Sequence, residues 1–180
     1  MGFRVRTHQE VSRLIVADSS AKEETVGCEN ISPDALSGFV VGEGCFYVES
    51  GFDKKYRLKW RIRPAFCVEV RHDDRSILES LKEAIGCGNI YELDFGRYKG
   101  YEEKKWRPHV KYRVSNIEDI SQKVVPFFQK YPLFGRKKRC FDIFCRLVGE
   151  MKEKRHLDPM GLEKVKVQVQ ELNTLNKKGF

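Results

Sequence analysis

The sequence predicts an α+β fold in which an antiparallel sheet carries helices on one face. The first observation is the order of the helical and strand patterns, α-ββ-α-ββ-α, followed by further helices. The second is an alternation of apolar and charged residues over 56–71 and again over 106–114, which is typical of strands buried on one face. The chain has 180 residues, enough for one domain with a sizeable core; we expect this domain over 32–180, after an irregular arm over 1–31.

The first half of the chain predicts a helix, a strand pair and a second helix. Ser32 offers a hydroxyl N-cap and Pro33 a proline in the first turn, so a helix begins there and runs to about Gly42. Two strand patterns follow, joined by the turn sequence GFDKK; they cover residues 45–52 and 55–71. The second helix has apolar residues along one face, covers residues 73–85 and ends at Gly86.

The second half predicts another strand pair and three helices. The strand sequences are GNIYELDF and KWRPHVKYRV, joined by the Gly- and Tyr-rich sequence GRYKGYEEK. Ser115 and Glu118 have the spacing of a capping box, which starts a helix that runs to about Lys130. The sequence YPLFG then interrupts the helical pattern, one amphipathic helix follows, and a last helix starts at Asp158.

The composition favours a polyanionic partner, because the formal net charge is +8 and the isoelectric point is about 9.2. No apolar run is long enough to span a membrane, and the first residues, MGFRVRTHQE, lack the apolar segment of a secretory signal, so we expect no membrane partner. The six cysteines show no CxxC pair and no disulfide-framework spacing. This usage predicts buried free thiols in a reducing intracellular compartment, either a prokaryotic cytoplasm or an organelle.

The most informative pattern is a basic face shared by the two strand pairs. Cationic residues occupy its outward positions, and apolar and aromatic residues fill the positions between them. Like charges on neighbouring strands repel, and the acidic residues fall mainly on predicted helices and in the arm, so this face requires an anion. The phosphates of duplex DNA or structured RNA supply that anion, and arginine side chains can read guanine edges in a major groove. The predicted nucleic-acid contacts are Arg57, Lys59, Arg61, Arg63, Arg71, Arg107, His109, Lys111 and Arg113.

Two other interpretations of this face stay open. A charged sheet face is often simply solvated and binds no ligand. A basic protein-interaction module is the other alternative, and it predicts an affinity that is nearly independent of salt. Nucleic-acid binding should instead weaken steeply as the salt concentration rises.

The sequence LSGFVVGEG, residues 36–44, places a single carboxylate, that of Glu43, between the first helix and the first strand. Gly38 and Gly42 lie four residues apart on one helix face, which indicates the close approach of a second backbone, most simply the same helix of a second subunit. A two-fold helix pair would bring two copies of Glu43 together, where a divalent metal could bridge them and activate water for attack on a phosphodiester. The simpler alternative is that Gly42 ends the helix and Glu43 is solvated. The predicted interface residues are Leu36, Gly38, Phe39 and Gly42.

LSGFVVGEG resembles the motif that names the LAGLIDADG homing endonucleases. Three further segments are similar to segments of that family and occur in the same order: AIGCGNIYE, YPLFGRKKRCFDIF and HLDPMGLEKVKVQVQELN. The resemblance covers the chain from about residue 32 to its C-terminus and includes the α-ββ-α-ββ-α order. It implies a saddle-shaped sheet on DNA, motif helices at a dimer interface, and cleavage of both strands across the minor groove with 3′ extensions.

The resemblance also implies roles for individual residues. Glu43 stands at the family's metal-binding acid, with Glu in place of Asp, and Gly42 stands where a backbone carbonyl adds a metal ligand. Lys137, or its neighbour Arg136, stands near the basic residue that orders the hydrolytic waters. The implied cofactor is Mg²⁺, with Mn²⁺ able to substitute and Ca²⁺ expected to bind without supporting cleavage.

The number of motifs implies an assembly. The chain has one copy of the motif, which implies an intron-encoded homodimer that acts on a long pseudo-palindromic site in double-stranded DNA. The alternative on the same scaffold is an intron RNA maturase or a DNA-binding regulator that does not cleave.

Overall fold

The computed structural model describes residues 31–93 and 108–177. The predicted arm, apart from Ile31, lies outside these residues, as does the connection between the second pair of strands together with Arg107. The elements are α1 (Pro33–Glu43), β1 (Gly44–Phe52), β2 (Trp60–Arg71), α2 (Arg75–Ile85), β3 (Asn89–Leu93), β4 (His109–Val114), α3 (Ile117–Asp119), α4 (Val125–Lys130), α5 (Gly135–Lys152) and α6 (Pro159–Lys177). A π-helical turn joins α3 to α4, so the two form one helical stretch.

The four strands form one antiparallel sheet in the order β1-β2-β4-β3. The helices pack on its inner face, and the predicted α+β fold is confirmed. Phe46 on β1 is the centre of an aromatic cluster: its ring centroid lies 4.9 Å from that of Phe66 and 5.4 Å from those of Phe128 and Phe144. These rings are fully buried between the sheet and helices α4 and α5, so the helices cover the inner face of the sheet.

Most helix ends lie where local chemistry predicts them. Ser32 caps α1, since its hydroxyl oxygen accepts from the backbone N–H of Ala35 at 3.3 Å, and Gly86 ends α2 in the left-handed conformation. The predicted capping box at Ser115 is wrong by one residue. The cap is Asn116, whose side-chain oxygen accepts from the backbone N–H groups of Glu118 at 2.8 Å and Asp119 at 3.3 Å.

The second strand begins at Trp60, five residues later than the sequence pattern indicates. Residues 53–59 instead form a turn, closed by a hydrogen bond of 3.0 Å from the Asp53 N–H to the Lys59 carbonyl. The Asp53 carboxylate also accepts from the N–H of Lys55 at 3.1 Å, and Lys59 has a φ of 53°. Because Asp favours such turns through its own side chain, this local hydrogen bond prevails over the alternating pattern of residues 55–59.

Five cysteines lie within the described residues, and all are free thiols, as predicted. The expected burial is confirmed for Cys67 and Cys140, whereas Cys45, Cys87 and Cys145 are only partly buried. Within the residues that the structure describes, no helix has the length and apolar character needed to cross a bilayer.

We expect Gly88→Ala to lower the free energy of unfolding by about 3 kcal/mol. Gly88 has a φ of 83°, and a Cβ there would lie 2.7 Å from the Tyr112 ring and 2.9 Å from the Arg113 carbonyl oxygen. Left-handed strain of roughly 1–2 kcal/mol adds to overpacking of about 1–3 kcal/mol. Gly86→Ala is the matched control, because its φ is 77° but the space around its Cβ is open, so only the strain applies. Urea unfolding measures the free energy of unfolding of both variants. Equal losses of stability in the two would contradict the clash at Gly88.

Candidate active site and nucleic-acid interface

The carboxylate predicted to carry chemistry lies at an abrupt junction between α1 and β1. Glu43 is the last residue of α1, Gly44 is the first residue of β1, and the Gly44 N–H still donates to the Val40 carbonyl. Glu43 and Gly42 are both exposed. The last carbonyls of a helix have no intrahelical donor, and that of Gly42 immediately precedes Glu43 in the chain. We call this place the Glu43 junction.

A basic side chain that is 93 residues away in the sequence reaches the Glu43 junction. The Lys137 ammonium, in the first turn of α5, donates to the backbone carbonyl of Gly44. Its neighbour Lys138 turns away and pairs with Asp142, with Nζ–oxygen distances of 2.6 and 2.7 Å. Arg136 is exposed in the same turn. Lys137 therefore contacts the junction directly.

A thiol pair lies next to the Glu43 junction, and sequence reasoning treated its members only as small apolar residues. Cys45 is the first outward-facing residue of β1, and Cys67 is its partner on β2. A hydrogen bond from Cys67 lowers the pKa of Cys45 to about 7; burial opposes this change, and the charges of Lys137 and Lys111 add to it. Only the strand register identifies the pair, because the two cysteines are far apart in the sequence.

The oxygen atoms at the junction suit a hard cation whose coordination shell is completed by other molecules. Within the described residues, no group of three or more His, Cys, Asp or Glu side chains is placed to hold a metal. At this place one chain offers the Glu43 carboxylate and the Gly42 carbonyl. Mg²⁺ keeps several waters and binds through one or two carboxylates together with substrate phosphates, so these oxygens fit part of a magnesium site and not a zinc site.

The outer face of the sheet carries the cationic side chains of β2 and β4. Arg71 on β2 lies directly opposite His109 on β4, and the apolar residues between the cationic positions point into the core. Arg61 and Arg71 keep 41% and 46% of their side-chain surface exposed. The predicted outward direction is confirmed for Arg61, Arg63, Arg71, His109, Lys111 and Arg113.

The charge of this face is more compensated than the expectation that acidic residues fall mainly on the helices and in the arm implies. Glu49 on β1 accepts from Arg113, and Glu69 on β2 accepts from Lys111 at 3.1 Å. The register causes the second pair, because it places Glu69 directly opposite Lys111, whereas the first pair spans β2. The pairs orient long side chains on the face, and an approaching phosphate must compete with each carboxylate.

Two of the predicted nucleic-acid contacts lie outside the strands of the sheet, and a third is not among the described residues. Arg57 lies in the turn before β2, and its guanidinium donates to the Leu157 carbonyl, between α5 and α6. Lys59 ends the same turn with a positive φ, so it is not part of the strand ladder. The third, Arg107, lies outside the described residues.

Helix α1 has one face in the core and one open face. Gly38 and Gly42 lie on the open face, where a Cβ would meet no atom of the described residues within 4 Å, and Phe39 is partly buried beside them. The prediction that Leu36 lies at an interface is wrong, because its side chain is 1% exposed and packs in the core of the single chain. Ser37 fixes the orientation of the helix, since its hydroxyl donates to the Tyr131 carbonyl at 2.8 Å.

Comparisons with known proteins place these features in one family. Residues 36–148 match the family model described as LAGLIDADG endonuclease. The chain is 28% identical over 136 residues to the "Probable intron-encoded endonuclease 2" of Neurospora crassa, covering 75% of this chain and 28% of that protein. It is 31% identical over 108 residues to the "Probable intron-encoded DNA endonuclease 1" of Mycosarcoma maydis, covering 60% of this chain and 34% of that protein. The chain thus spans between a quarter and about a third of these relatives.

Two solved structures are similar over most of the chain. The structure of "I-SmaMI bound to uncleaved DNA target in the presence of Calcium ions" has a TM-score of 0.71 at 30% identity, covering 80% of this chain and 45% of that one. The structure of "a homing endonuclease, I-TnaI" has a TM-score of 0.67 at 25% identity, covering 83% of this chain and 99% of that one.

Proposed function

The chain belongs to the LAGLIDADG endonuclease family, and we propose that it cuts both strands of duplex DNA at a specific, long pseudo-palindromic site as a homodimer. The single observation that carries this proposal is that Lys137 donates to the Gly44 carbonyl, one residue after Glu43, at the edge of a cationic sheet face. A phosphodiester that lies against this edge has a carboxylate and an ammonium group beside it. In the proposed protein, residues 32–180 form the nuclease domain and residues 1–31 an arm.

Each residue at the Glu43 junction has a task in strand cleavage. Glu43 and the Gly42 carbonyl hold Mg²⁺, whose chemistry when bound is Lewis-acid activation of the phosphate and of water. Lys137 donates a hydrogen bond that orders the attacking water. Its ammonium is already held at the junction, because it donates to the neighbouring Gly44 carbonyl. Arg136 offsets the negative charge that develops on the phosphate. The cut crosses the minor groove and leaves 3′ extensions.

The outer sheet face binds and reads the DNA. Arg61, Arg63 and Arg71 on β2 and Lys111 and Arg113 on β4 present donors to phosphates and to base edges in a major groove. The Glu49–Arg113 and Glu69–Lys111 pairs hold two of these side chains in a fixed direction before DNA arrives. This preorganisation favours sequence-specific contacts over a diffuse attraction to phosphate.

A second copy of the chain completes the site. The described residues contain one Glu43 junction, whereas a double-strand cut needs a junction for each scissile phosphate. The open face of α1 ends at Glu43, so packing two α1 helices through Gly38, Phe39 and Gly42 brings the two junctions together. This chain covers 99% of the I-TnaI chain but only 45% of the I-SmaMI chain. A unit of this size therefore corresponds to about half of the larger nuclease, which supports the assembly of two copies.

The direct test is cleavage of duplex DNA that carries the uninterrupted insertion site, rebuilt by joining the sequences that flank the host intron. We expect staggered double-strand cuts with 3′ extensions in Mg²⁺, similar cuts in Mn²⁺, and salt-sensitive binding without cutting in Ca²⁺. Binding without cutting in every metal would favour the non-cleaving regulator, and preferential binding of the intron RNA would favour the maturase. The relatives' names, which are those of endonucleases, favour cleavage.

We expect Lys137→Ala to slow cleavage by about 100-fold, because one preorganised donor at a reacting phosphate contributes roughly that factor. DNA affinity should change little, since one phosphate contact at most is lost. Lys138→Ala is the matched control, because Lys138 lies in the same turn but pairs with Asp142. Single-turnover cleavage rates measure the effect; an equal loss in both variants would mean that the turn acts only through its net charge.

A further inference from the structure

Two cysteines face each other across the strand pair that leads away from the Glu43 junction. Cys45 on β1 and Cys67 on β2 are directly opposed in the antiparallel register, with side chains on the same, outer face. Opposed residues in an antiparallel pair have Cα atoms about 4.5–5.5 Å apart, whichever type of pair they form. A disulfide bond requires a Cα separation of roughly 4.4–6.8 Å, so the backbone already has the spacing that a bond needs.

The two thiols differ in accessibility. Cys45 is only partly buried, whereas Cys67 is 7% exposed and lies beside it on β2, which has a strand on each side. A small reagent from solvent therefore reaches Cys45 first, and Cys67 is then the nearest thiol within the sheet. Among the described cysteines, no other two are opposed in strand register, because Cys140 and Cys145 lie on α5 and Cys87 lies between α2 and β3.

We propose that Cys45 and Cys67 form a modification site for low-molecular-weight disulfides of the glutathione class, which oxidise the pair reversibly to an intrachain disulfide. The proposal rests on the strand register and the exposure of Cys45, so it stands whether or not the chain cleaves DNA. The bond would tie β1 to β2 one residue beyond Gly44, next to the Glu43 junction and on the face that we assign to DNA.

The chemistry consists of two balanced exchange steps. The Cys45 sulfur attacks one sulfur of the small disulfide, its S–S bond breaks, and one small thiol leaves with the proton of Cys45. The Cys67 sulfur then attacks the Cys45 sulfur of this mixed disulfide, and the second small thiol leaves with the proton of Cys67. The protein loses two hydrogen atoms and two electrons, which the small disulfide gains; an excess of dithiol reverses both steps.

The experiment exposes the full-length chain to oxidised glutathione, blocks remaining thiols by alkylation, and maps the peptides by mass spectrometry. A Cys28→Ser background is used, because Cys28 and Cys45 share one tryptic peptide. We expect a cross-link between the peptides of Cys45 and Cys67, no persistent glutathione adduct, and full reversal by dithiothreitol. The oxidised protein should also have a higher unfolding temperature, since the bond constrains the unfolded chain.

Two variants separate the attacking thiol from the resolving thiol. Cys67→Ser should accumulate a stable glutathione adduct on Cys45, and Cys45→Ser should leave Cys67 unmodified. Cys87→Ser, the control, should still form the Cys45–Cys67 bond. Far-UV circular dichroism of each reduced variant checks the fold. A lasting adduct on Cys45 in the parent, a bond from Cys45 to Cys140, or faster reaction of Cys145 would each overturn the proposal.

Discussion

Replacing Glu43 with glutamine is expected to abolish DNA cleavage and to leave DNA binding intact. Glutamine has the same shape but lacks the negative charge, so the variant loses the one carboxylate that the Glu43 junction offers to a cation. Lewis-acid activation by a metal contributes several kcal/mol to hydrolysis, and each 1.36 kcal/mol is a factor of ten in rate. We therefore expect the cleavage rate to fall by at least about 1,000-fold.

The fold and the affinity of this variant should be close to those of the parent. Glu43 is exposed at a helix end, and surface substitutions of this kind change stability by about 0.5 kcal/mol or less. Removing a negative charge near the outer face of the sheet should raise the affinity for DNA slightly at low salt. The DNA phosphates are also negative, so they repel the Glu43 carboxylate. The combination of retained binding and lost cutting distinguishes a metal ligand from a structural residue.

The control for Glu43→Gln is Glu83→Gln, the same change at an exposed position on α2. Single-turnover cleavage and equilibrium binding are measured for both proteins in Mg²⁺ and in Ca²⁺. If Glu43→Gln cuts at more than a tenth of the parent rate, Glu43 is solvated and the acid that supports hydrolysis lies elsewhere.

Local signals in the sequence predicted most of the framework of this site. Ser32 and Pro33 start α1 and Gly86 ends α2, because caps, prolines and left-handed glycines act within one helical turn. The strand faces of β2 and β4 follow from their alternation alone, since a period of two assigns each side chain to one side of the sheet. Glu43 could be identified in the same way, because its neighbours define the end of a helix and the start of a strand.

Contacts between distant residues could not be predicted. Residues 136–139 are four consecutive basic residues, and only the rotation of α5 decides that Lys137 meets Gly44 while Lys138 meets Asp142. Glu49 and Arg113 are 64 residues apart in sequence, so their pairing depends on the register of β1, β2 and β4. Sequence reasoning therefore overestimated the uncompensated charge of the outer face. Cys45 and Cys67 were missed for the same reason.

We expect Gly38→Leu to convert the protein from a dimer to a monomer and to eliminate double-strand cutting. Gly38 lies on the open face of α1, where an added Cβ meets nothing within 4 Å among the described residues. The isolated subunit should fold at least as well as the parent, because leucine is favoured over glycine inside a helix by about 0.8 kcal/mol. Loss of function in this variant would therefore arise at the interface and not from unfolding.

The size of the effect follows from the two-fold arrangement. Each dimer would carry two added side chains where the helices approach most closely, and overpacking costs about 1–3 kcal/mol at each site. The dimer dissociation constant should thus rise by about 100-fold or more, since 1.4 kcal/mol is a factor of ten. Sedimentation measures the association, and cleavage of the full site at the same protein concentrations measures the consequence.

Gly149→Leu provides the matched control, because Gly149 also lies inside a helix, on α5, with open space around its Cβ. It should remain dimeric and active, since α5 presents no surface to the proposed partner at that position. A Gly38→Leu protein that stays dimeric and cuts both strands would exclude α1 as the interface. A parent protein that binds its target DNA as a single copy would instead exclude the homodimer. The second active site would then have to come from a different protein.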